Sequence, residues 1–194
     1  MPVMVDGWRM PALVAGDPAL EICNTRAAWS DGPDATDTHE YLLSYEHFAF
    51  WARYAGLLPI VAQAEPAQGA IVLDRTLRFR SAYYAALTGG VPDWDLLDRE
   101  VRALAPGLAV ASGVAVASRD CGDNAEAPLR AVVHHAAGLL TSPVSRAVRS
   151  CPGVGCGWLF HDPRGRRRWC VMAVCGNRTK VARHAARSRR DLPR

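Results

Sequence analysis

Apolar residues recur at helical spacing along several stretches of the chain, and these stretches predict its main elements. The first helix can be capped by Asp37 or Thr38 and runs to about Ala55. Gly56 and Pro59 then end it, since neither residue favours a continuing helix. Its apolar positions lie three or four residues apart: Leu42, Tyr45, Phe48, Ala49 and Ala52.

The same pattern predicts three more helices and one short β-element. The helices cover 70–87, 93–105 and 126–140, and glycines or prolines follow each of them. Leu108–Ala117 is rich in Val and Ala and predicts either a strand pair turning at Ser112-Gly113 or one strand with a bulge. The fold class is therefore mainly α with a small β-hairpin (α+β).

The region before the first helix lacks a long helical pattern. Residues 1–36 are loop-rich, and inside them Ala19–Thr25 fits either a short strand or a helix. Three tryptophans next to apolar runs are interpreted as core residues rather than as a ligand cage: Trp29, Trp51 and Trp94.

Charge divides the chain into two units. Residues 1–145 hold 10 basic and 17 acidic residues, whereas residues 146–194 hold 13 basic and 2 acidic residues. So abrupt a change predicts a domain boundary and a polyanionic partner for the second unit. The first ten residues lack a basic region followed by an apolar run, and the longest apolar stretch is too short to cross a bilayer. We therefore expect a cytoplasmic protein.

Four cysteines follow the spacing C-x4-C-x13-C-x4-C: Cys151, Cys156, Cys170 and Cys175. Each pair is close enough for both thiolates to reach one ion, and the spacer suits a hairpin that returns the second pair to the first. In a reducing compartment the pattern predicts one structural Zn²⁺ per chain. Disulfides, unconnected thiols and iron are the alternatives. Cys23 and Cys121 have no partner pattern and are interpreted as core or incidental residues.

The sequence around these cysteines resembles a known family. It reads R-A-V-R-S-C-P-G-V-G-C-G-W-L-F-H-D and later R-R-R-W-C-V-M-A-V-C-G-N-R-T-K. Over 146–187 this resembles the CGNR zinc-finger family, with Trp169, Met172, Asp162 and Lys180 in place. The family's serine after Asp162 is absent and Pro163-Arg164 stands there, so we expect the hairpin tip to contact its partner differently.

A second resemblance covers the preceding unit. The runs A-L-E-I-C-N-T and S-Y-E-H-F-A-F-W-A-R-Y-A-G-L-L are similar to the opening motif and first helix of the ABATE domain. Together the two resemblances imply a bacterial, stress-linked transcription regulator. They imply an ABATE-like, ligand-sensing domain at 1–145. They also imply a zinc-ribbon or treble-clef-like module at 146–194 that ends in a basic helix.

The C-terminal basic residues are the candidate nucleic-acid contacts. Asn177 can cap a helix to about Arg190, and on that helix one face carries Lys180, Arg183, Arg187 and Arg190. The opposite face carries Val181, Ala182, Ala185 and Ala186, which are predicted to pack on the zinc hairpin. Arg166, Arg167 and Arg168 can extend the basic surface, whereas Arg178 and Asn177 are predicted to support the zinc site. The alternative is a solvated basic tail.

Three functions remain open from the residues. The first is a regulator that binds DNA through the zinc module, and the second is an RNA-binding or ribosome-associated zinc protein. An enzyme is the weakest, because the sequence has no nucleophile elbow, phosphate loop or metal-hydrolase motif and a four-thiolate site offers no open position. Asn24, Thr25 and Arg80 could line a ligand pocket, or could only cap and carry surface charge. A homodimer is possible, and no membrane partner is expected.

Overall fold

The structure is a computed structural model that describes residues 1–29, 39–104, 107–111, 114–118 and 124–190. The α-helices among these residues are α1 (Pro18–Glu21), α2 (Tyr45–Tyr54), α3 (Pro66–Thr88), α4 (Trp94–Ala103), α5 (Ala127–Leu140) and α6 (Asn177–Arg190). The strands are β1 (Pro2–Val5), β2 (Trp8–Pro11), β3 (Gly107–Ala111), β4 (Val114–Ser118), β5 (Val148–Ser150) and β6 (Leu159–His161). The predicted α+β class is confirmed.

The described strands form three antiparallel pairs: β1 with β2, β3 with β4, and β5 with β6. The β3–β4 pair confirms the two-strand reading of Leu108–Ala117, and Ser112-Gly113 between the strands lies outside the described residues. The β1–β2 hairpin was not predicted. Its signal was the Asp6-Gly7 pair, because both residues have positive φ (48° and 82°) in the turn between short apolar runs.

Capping side chains set where two of the helices begin. Ser44 caps α2 by accepting the His47 N–H at 3.4 Å, so the helix begins later than predicted; Asp37 and Thr38 lie outside the described residues. Asp93 caps α4 by accepting the Leu96 N–H at 2.9 Å. The other two long helices, α3 and α5, lie within a few residues of their predicted ranges.

Helices α2, α3 and α5 surround a core rich in aromatic side chains. Trp51, Phe48 and Phe79 are fully buried there, and the Phe79 ring stacks with the Tyr83 ring at 5.9 Å between centroids. The prediction that Trp94 belongs to the core is wrong. Its side chain is 58% exposed, because it occupies the first position of α4 on the outer side of that helix.

One ion-pair network joins three of these helices. The Arg75 guanidinium on α3 contacts the Glu100 carboxylate on α4, at 2.8 Å between Nη2 and Oε2, and the Glu126 carboxylate just before α5. Glu100 is buried, so its charge needs this partner. The network fixes how α4 and α5 pack on α3.

The cysteine-bearing segment shares the main core. Val148 on β5 and Leu159 on β6 are buried in the same cluster as Leu20 and Phe48. Strand β6 lies against α1, and β5 lies against α3. The segment therefore packs directly on the helices rather than standing apart. Among the described residues, no helix is both long and apolar enough to cross a membrane.

We expect Leu159→Ala to lower the free energy of unfolding of the whole chain by about 2–5 kcal/mol, because the residue is fully buried in the shared core. Urea unfolding followed by circular dichroism at 222 nm measures this. Leu43→Ala is the matched control, since Leu43 is 68% exposed and its truncation should change little. Unchanged helical stability in the Leu159 variant would contradict a shared core.

Candidate metal centre

The first cysteine pair lies on a tight loop between β5 and β6. The Cys156 N–H donates to the Gly153 carbonyl at 3.0 Å, and the Cys151 N–H donates to the Trp158 carbonyl at 2.8 Å. Glycine at position 153 suits this close approach, because a Cβ there would lie 3.2 Å from the Cys175 Sγ and would crowd it. The loop thus presents both sulfurs to the same point.

The second pair comes from the segment that leads into α6. Residues Met172–Gly176 form a π-helical turn in which the Cys175 N–H donates to the Val171 carbonyl at 2.9 Å. A Cβ on Gly176 would lie 2.3 Å from the Met172 Sδ, so a larger residue at this point would require the Met172 side chain to move. The wider turn directs the Cys175 sulfur back toward Cys170.

All four sulfurs converge at one point. Cys151, Cys156, Cys170 and Cys175 offer Sγ atoms that all lie within 4.8 Å of one another, and all four residues are buried. The Cys156–Cys170 and Cys170–Cys175 sulfurs are 3.6 and 3.5 Å apart. Tetrahedral zinc with thiolate bonds of about 2.3 Å separates its sulfurs by about 3.8 Å. The site therefore fits one structural zinc ion.

Thiol chemistry separates this cluster from the remaining described cysteine. Hydrogen bonds from the Cys156 and Cys170 thiols lower the pKa of Cys151, and the same contacts raise the pKa of Cys156 and Cys170, so the thiols of the cluster titrate as one coupled group. Full burial instead raises the pKa of Cys23 well above its usual value. Cys23 is thus an inert core thiol, as predicted, and Cys121 lies outside the described residues.

The turn that follows β6, where the sequence predicts a hairpin tip, is closed by Asp162. Its two carboxylate oxygens accept the backbone N–H groups of Arg166 and Arg167, each at 3.0 Å. Gly165 adopts a φ of 62° in this turn. The aspartate therefore organises the tip without help from a following serine, and its own charge is engaged by the backbone.

Arg167 differs from the arginines beside it. Its guanidinium donates to the carbonyls of Val14, at 2.6 Å, and of Cys170, and lies 4.6 Å from the centre of the Phe160 ring. These contacts join the segment between β6 and Cys170 to the residues just before α1. The side chain is thus committed to the protein, although the sequence placed it among the nucleic-acid contacts.

The other hairpin arginines are exposed around an open groove. Arg164, Arg166 and Arg168 line it together with Trp169 and Met172, and its volume is about 770 Å³. The Arg168 guanidinium lies 5.3 Å from the centre of the Trp169 ring. We call this surface the arginine groove. Arg164 was absent from the predicted set, although its place next to three other arginines was a signal.

Helix α6 departs from its predicted role in two ways. Asn177 is no N-cap, because it has helical dihedrals and continues the preceding π-helical turn; its amide donates to the Ala173 carbonyl at 3.1 Å. The predicted packing of the apolar face is also wrong where the structure tests it. Val181 is 70% exposed and Ala182 is exposed, since this part of α6 extends beyond the hairpin.

The predicted cations of α6 are only partly described. Lys180 is exposed, whereas the side chains of Arg183, Arg187 and Arg190 lie outside the described residues, as do those of Ala185 and Ala186. Arg178 donates from Nη1 to the Val154 carbonyl in the first cysteine loop at 3.3 Å. This contact places Arg178 beside the first cysteine loop, and its role in supporting the zinc site stays a prediction.

Asn24 occupies a position that the sequence did not reveal. It is fully buried, and its side-chain amide pairs with the backbone of Leu159: Nδ2 donates to the carbonyl at 3.0 Å, and Oδ1 accepts the N–H at 2.8 Å. The pair imitates a strand partner for β6. Asn24 thus joins the cysteine segment to the helices.

Thr25 and Arg80 also have partners within the chain. The Arg80 guanidinium donates to the Thr25 hydroxyl at 2.7 Å and pairs with the Glu40 carboxylate, and the Thr25 hydroxyl donates to the Ile22 carbonyl at 2.6 Å. Both residues are buried. Their assignment to a ligand pocket, together with that of Asn24, stays a prediction.

Glu21 supports the Asn24 contact from α1. Its Oε1 accepts the Ala15 N–H at 2.7 Å, and its Oε2 accepts a hydrogen from Asn24 at 3.3 Å. Burial raises the pKa of Glu21 to about 7. A glutamate and an asparagine three residues apart inside the apolar A-L-E-I-C-N-T run were the signal for this contact.

Aromatic side chains complete the junction between the two segments. The Trp158 indole N–H donates to the Arg26 carbonyl at 2.9 Å, and the Tyr84 hydroxyl donates to the Gly157 carbonyl at 2.8 Å. Trp29, predicted as core, is only half-buried and stacks on the Tyr84 ring with centroids 4.0 Å apart. These contacts hold the first cysteine loop on the helical unit.

Comparison with family models covers both segments in the predicted order. Residues 16–148 match the ABATE model, described as "Putative stress-induced transcription regulator", and residues 147–188 match the model described as "CGNR zinc finger". No curated protein matches the chain significantly. The two matches meet at the start of β5, where the chain enters the metal site.

We expect the purified protein to carry about one zinc per chain, and Cys170→Ser to lose it, because three thiolates leave the tetrahedral site incomplete. Elemental analysis after reducing, metal-free purification measures the ratio. Cys23→Ala is the matched control and should retain zinc, since Cys23 lies outside the cluster. A wild-type protein without metal whose C-terminal segment remains folded would refute the site.

We expect Asn24→Ala to lower the free energy of unfolding by about 2 kcal/mol or more, because it leaves the buried N–H and carbonyl of Leu159 without partners. Gln63→Ala is the matched control: its amide is exposed and makes only one local bond, so the expected loss is within about 0.5 kcal/mol. Urea unfolding gives both values, and hydrogen exchange reports the Leu159 amide directly. Undiminished protection of that amide would rule the pairing out.

Proposed function

Because the chain belongs to the ABATE family, with a CGNR zinc finger after it, we propose that it is a transcription regulator that binds DNA through its zinc module. The observation that carries the proposal is the arginine groove. Three exposed guanidiniums lie around one concave surface directly beside the metal site. The helical unit then has the role of a sensor that binds a small ligand.

Charge supports a phosphate-bearing partner. Residues 146–194 hold 13 basic and only 2 acidic residues. Of these two, Asp162 borders the arginine groove, but its oxygens already accept backbone hydrogens within the tip. The cations of the groove therefore face a partner with little competing negative charge, and guanidiniums pair well with phosphate oxygens.

The metal has a mechanical role in this proposal. Zinc bound by four thiolates has no position for a substrate, so its role is structural. It holds the first cysteine loop, the segment that carries Cys170 and the start of α6 in a fixed arrangement. Lys180 is exposed on the first turns of α6 and adds a further cation to the zinc module. The proposal accordingly assigns the protein no enzymatic step.

Contacts across the junction give the sensor a physical route to the zinc module. Asn24 holds β6, Tyr84 holds Gly157, and Arg167 holds Val14. A ligand that binds more tightly to one arrangement of these contacts shifts the position or stability of the module. Control of DNA affinity by a small molecule follows from that coupling.

RNA is the alternative partner, and one feature of the groove favours it. Trp169 and Met172 lie beside the arginines, and an aromatic ring among cations can stack on an unpaired base. Binding assays with duplex DNA, single-stranded DNA and structured RNA of equal length separate these partners. Preference for duplex DNA supports the proposed regulator, and preference for structured RNA refutes it.

We expect the triple variant Arg164→Gln, Arg166→Gln, Arg168→Gln to weaken duplex binding and to reduce the slope of log K against log salt by about 2.7, since each phosphate contact contributes about 0.9. Fluorescence anisotropy between 50 and 200 mM salt, roughly the range over which such contacts weaken most, measures this. The matched control replaces three exposed arginines of the helical unit, Arg53, Arg78 and Arg102, with glutamine.

The control variant removes the same charge from residues that do not line the groove, so it should change the slope little. Equal losses in the two triple variants would show that only the net charge of the chain matters. An unchanged slope in the groove variant, with its zinc content intact, would show that the groove does not contact phosphate.

A further inference from the structure

A second cavity, of about 470 Å³, lies where three parts of the chain meet. Its walls come from the β1–β2 hairpin, from the residues around Tyr41, and from the cysteine loops with the start of α6. We call it the junction cavity. Its volume lies within the range of small-molecule sites. The hairpin wall belongs to residues 1–15, which neither family model covers.

The polar groups that this cavity offers are mainly donors. Arg9 enters from β2 and Arg178 enters from α6, and the described lining contains no aspartate or glutamate. The Arg9 guanidinium lies 5.5 Å from the centre of the Tyr41 ring, and Arg178 makes one 3.3 Å bond to the Val154 carbonyl. A guanidinium carries five N–H donors and no acceptor, and both residues are exposed, so both retain donors that an acceptor-bearing ligand can take over from water.

The remaining lining is apolar or engaged with the metal. Val171 and Val174 are half-buried, and the rings of Tyr41 and Trp158 form further wall. The cysteine sulfurs that reach the cavity bind zinc and are not available as acceptors. Four thiolates with zinc carry a net charge of −2, which the two guanidiniums offset, so the lining does not repel a carboxylate as the metal site alone would.

We propose that the junction cavity is the protein's small-ligand site and that it takes a small organic carboxylate with a flat apolar body. A carboxylate matches the planar donor fork of a guanidinium, and the apolar body covers the valines and rings. This inference deepens the ligand-sensing half of the proposed function. It does not require DNA binding.

The position of the cavity gives the ligand a consequence. A molecule that contacts both Arg9 and Arg178 bridges the β1–β2 hairpin and the start of α6. Helix α6 follows directly from the turn that carries Cys175. Binding therefore stabilises the arrangement in which the β1–β2 hairpin packs against the zinc module. A pocket confined to the helices would have no such direct contact.

The test titrates benzoate into the zinc-loaded full chain and monitors the NMR signal of the Trp158 indole N–H. Trp158 lines the cavity, so occupancy should shift its signal in a saturable way. Benzyl alcohol has the ring without the charge, and acetate has the charge without the ring. Both should bind at least about tenfold more weakly than benzoate, because each lacks one half of the recognition.

Two variants locate the charge contact. Arg9→Gln and Arg178→Gln should each weaken benzoate binding about tenfold, since each removes a charged hydrogen bond. Arg102→Gln is the matched control, because Arg102 is an exposed arginine on α4. Arg9 lies outside the zinc module, so that variant keeps the test valid even if Arg178→Gln loses metal.

The outcomes decide the inference separately from DNA binding. No shift of Trp158, equal binding of benzyl alcohol, or wild-type affinity in Arg9→Gln would overturn it. Loss of DNA binding in the groove variant with benzoate binding retained leaves this site intact. Conversely, DNA binding without any benzoate binding removes the site and leaves the DNA interface in place.

Discussion

The pairing of the Asn24 amide with the backbone of Leu159 is the contact on which the arrangement of the molecule depends. Strand β6 has β5 on one edge, and Asn24 satisfies backbone groups on the other. Without that pairing, the N–H and carbonyl would be buried without partners, which costs about 1–3 kcal/mol for each group. The first cysteine loop precedes β6 and the residues of the arginine groove follow it, so this contact sets the position of both.

Metal and core support each other across this junction. The cysteine segment has few large apolar side chains of its own, and a core of that size is rarely sufficient alone. Zinc closes one side of it, while Leu159 and Val148 join the helical core on the other. We therefore expect the zinc module and the helices to unfold together rather than as independent domains, with the metal contributing stability to both.

The arginines show how one residue type serves different ends according to its surroundings. Arg80 and Arg167 direct their guanidiniums to carbonyl, hydroxyl or carboxylate groups of the chain, and Arg178 reaches back to the first cysteine loop. Arg164, Arg166 and Arg168 are exposed beside the metal site. Counting positive charges alone would assign all of them to nucleic acid. The structure separates those that hold the fold from those available to a partner, and this separation underlies the matched triple variants.

What could be predicted from the sequence was the local chemistry. Cysteine spacing depends on loop lengths that are read directly from the chain, so the four ligands and their metal followed from it. Helical periodicity likewise located α3, α4 and α5, because an apolar stripe reports the buried face of each helix. The family motifs were also present in the letters and gave the order of the two segments.

Only the tertiary structure decided what each polar residue contacts. Asn24 and Leu159 are 135 residues apart, and no local pattern links an amide to a backbone at that separation. The same holds for Arg167 with Val14 and for the junction cavity, whose walls come from distant segments. Val181 and Ala182 were assigned to a packed face by helical spacing, yet they are exposed. Periodicity defines a helix face, but only the positions of the other elements determine whether anything lies against it.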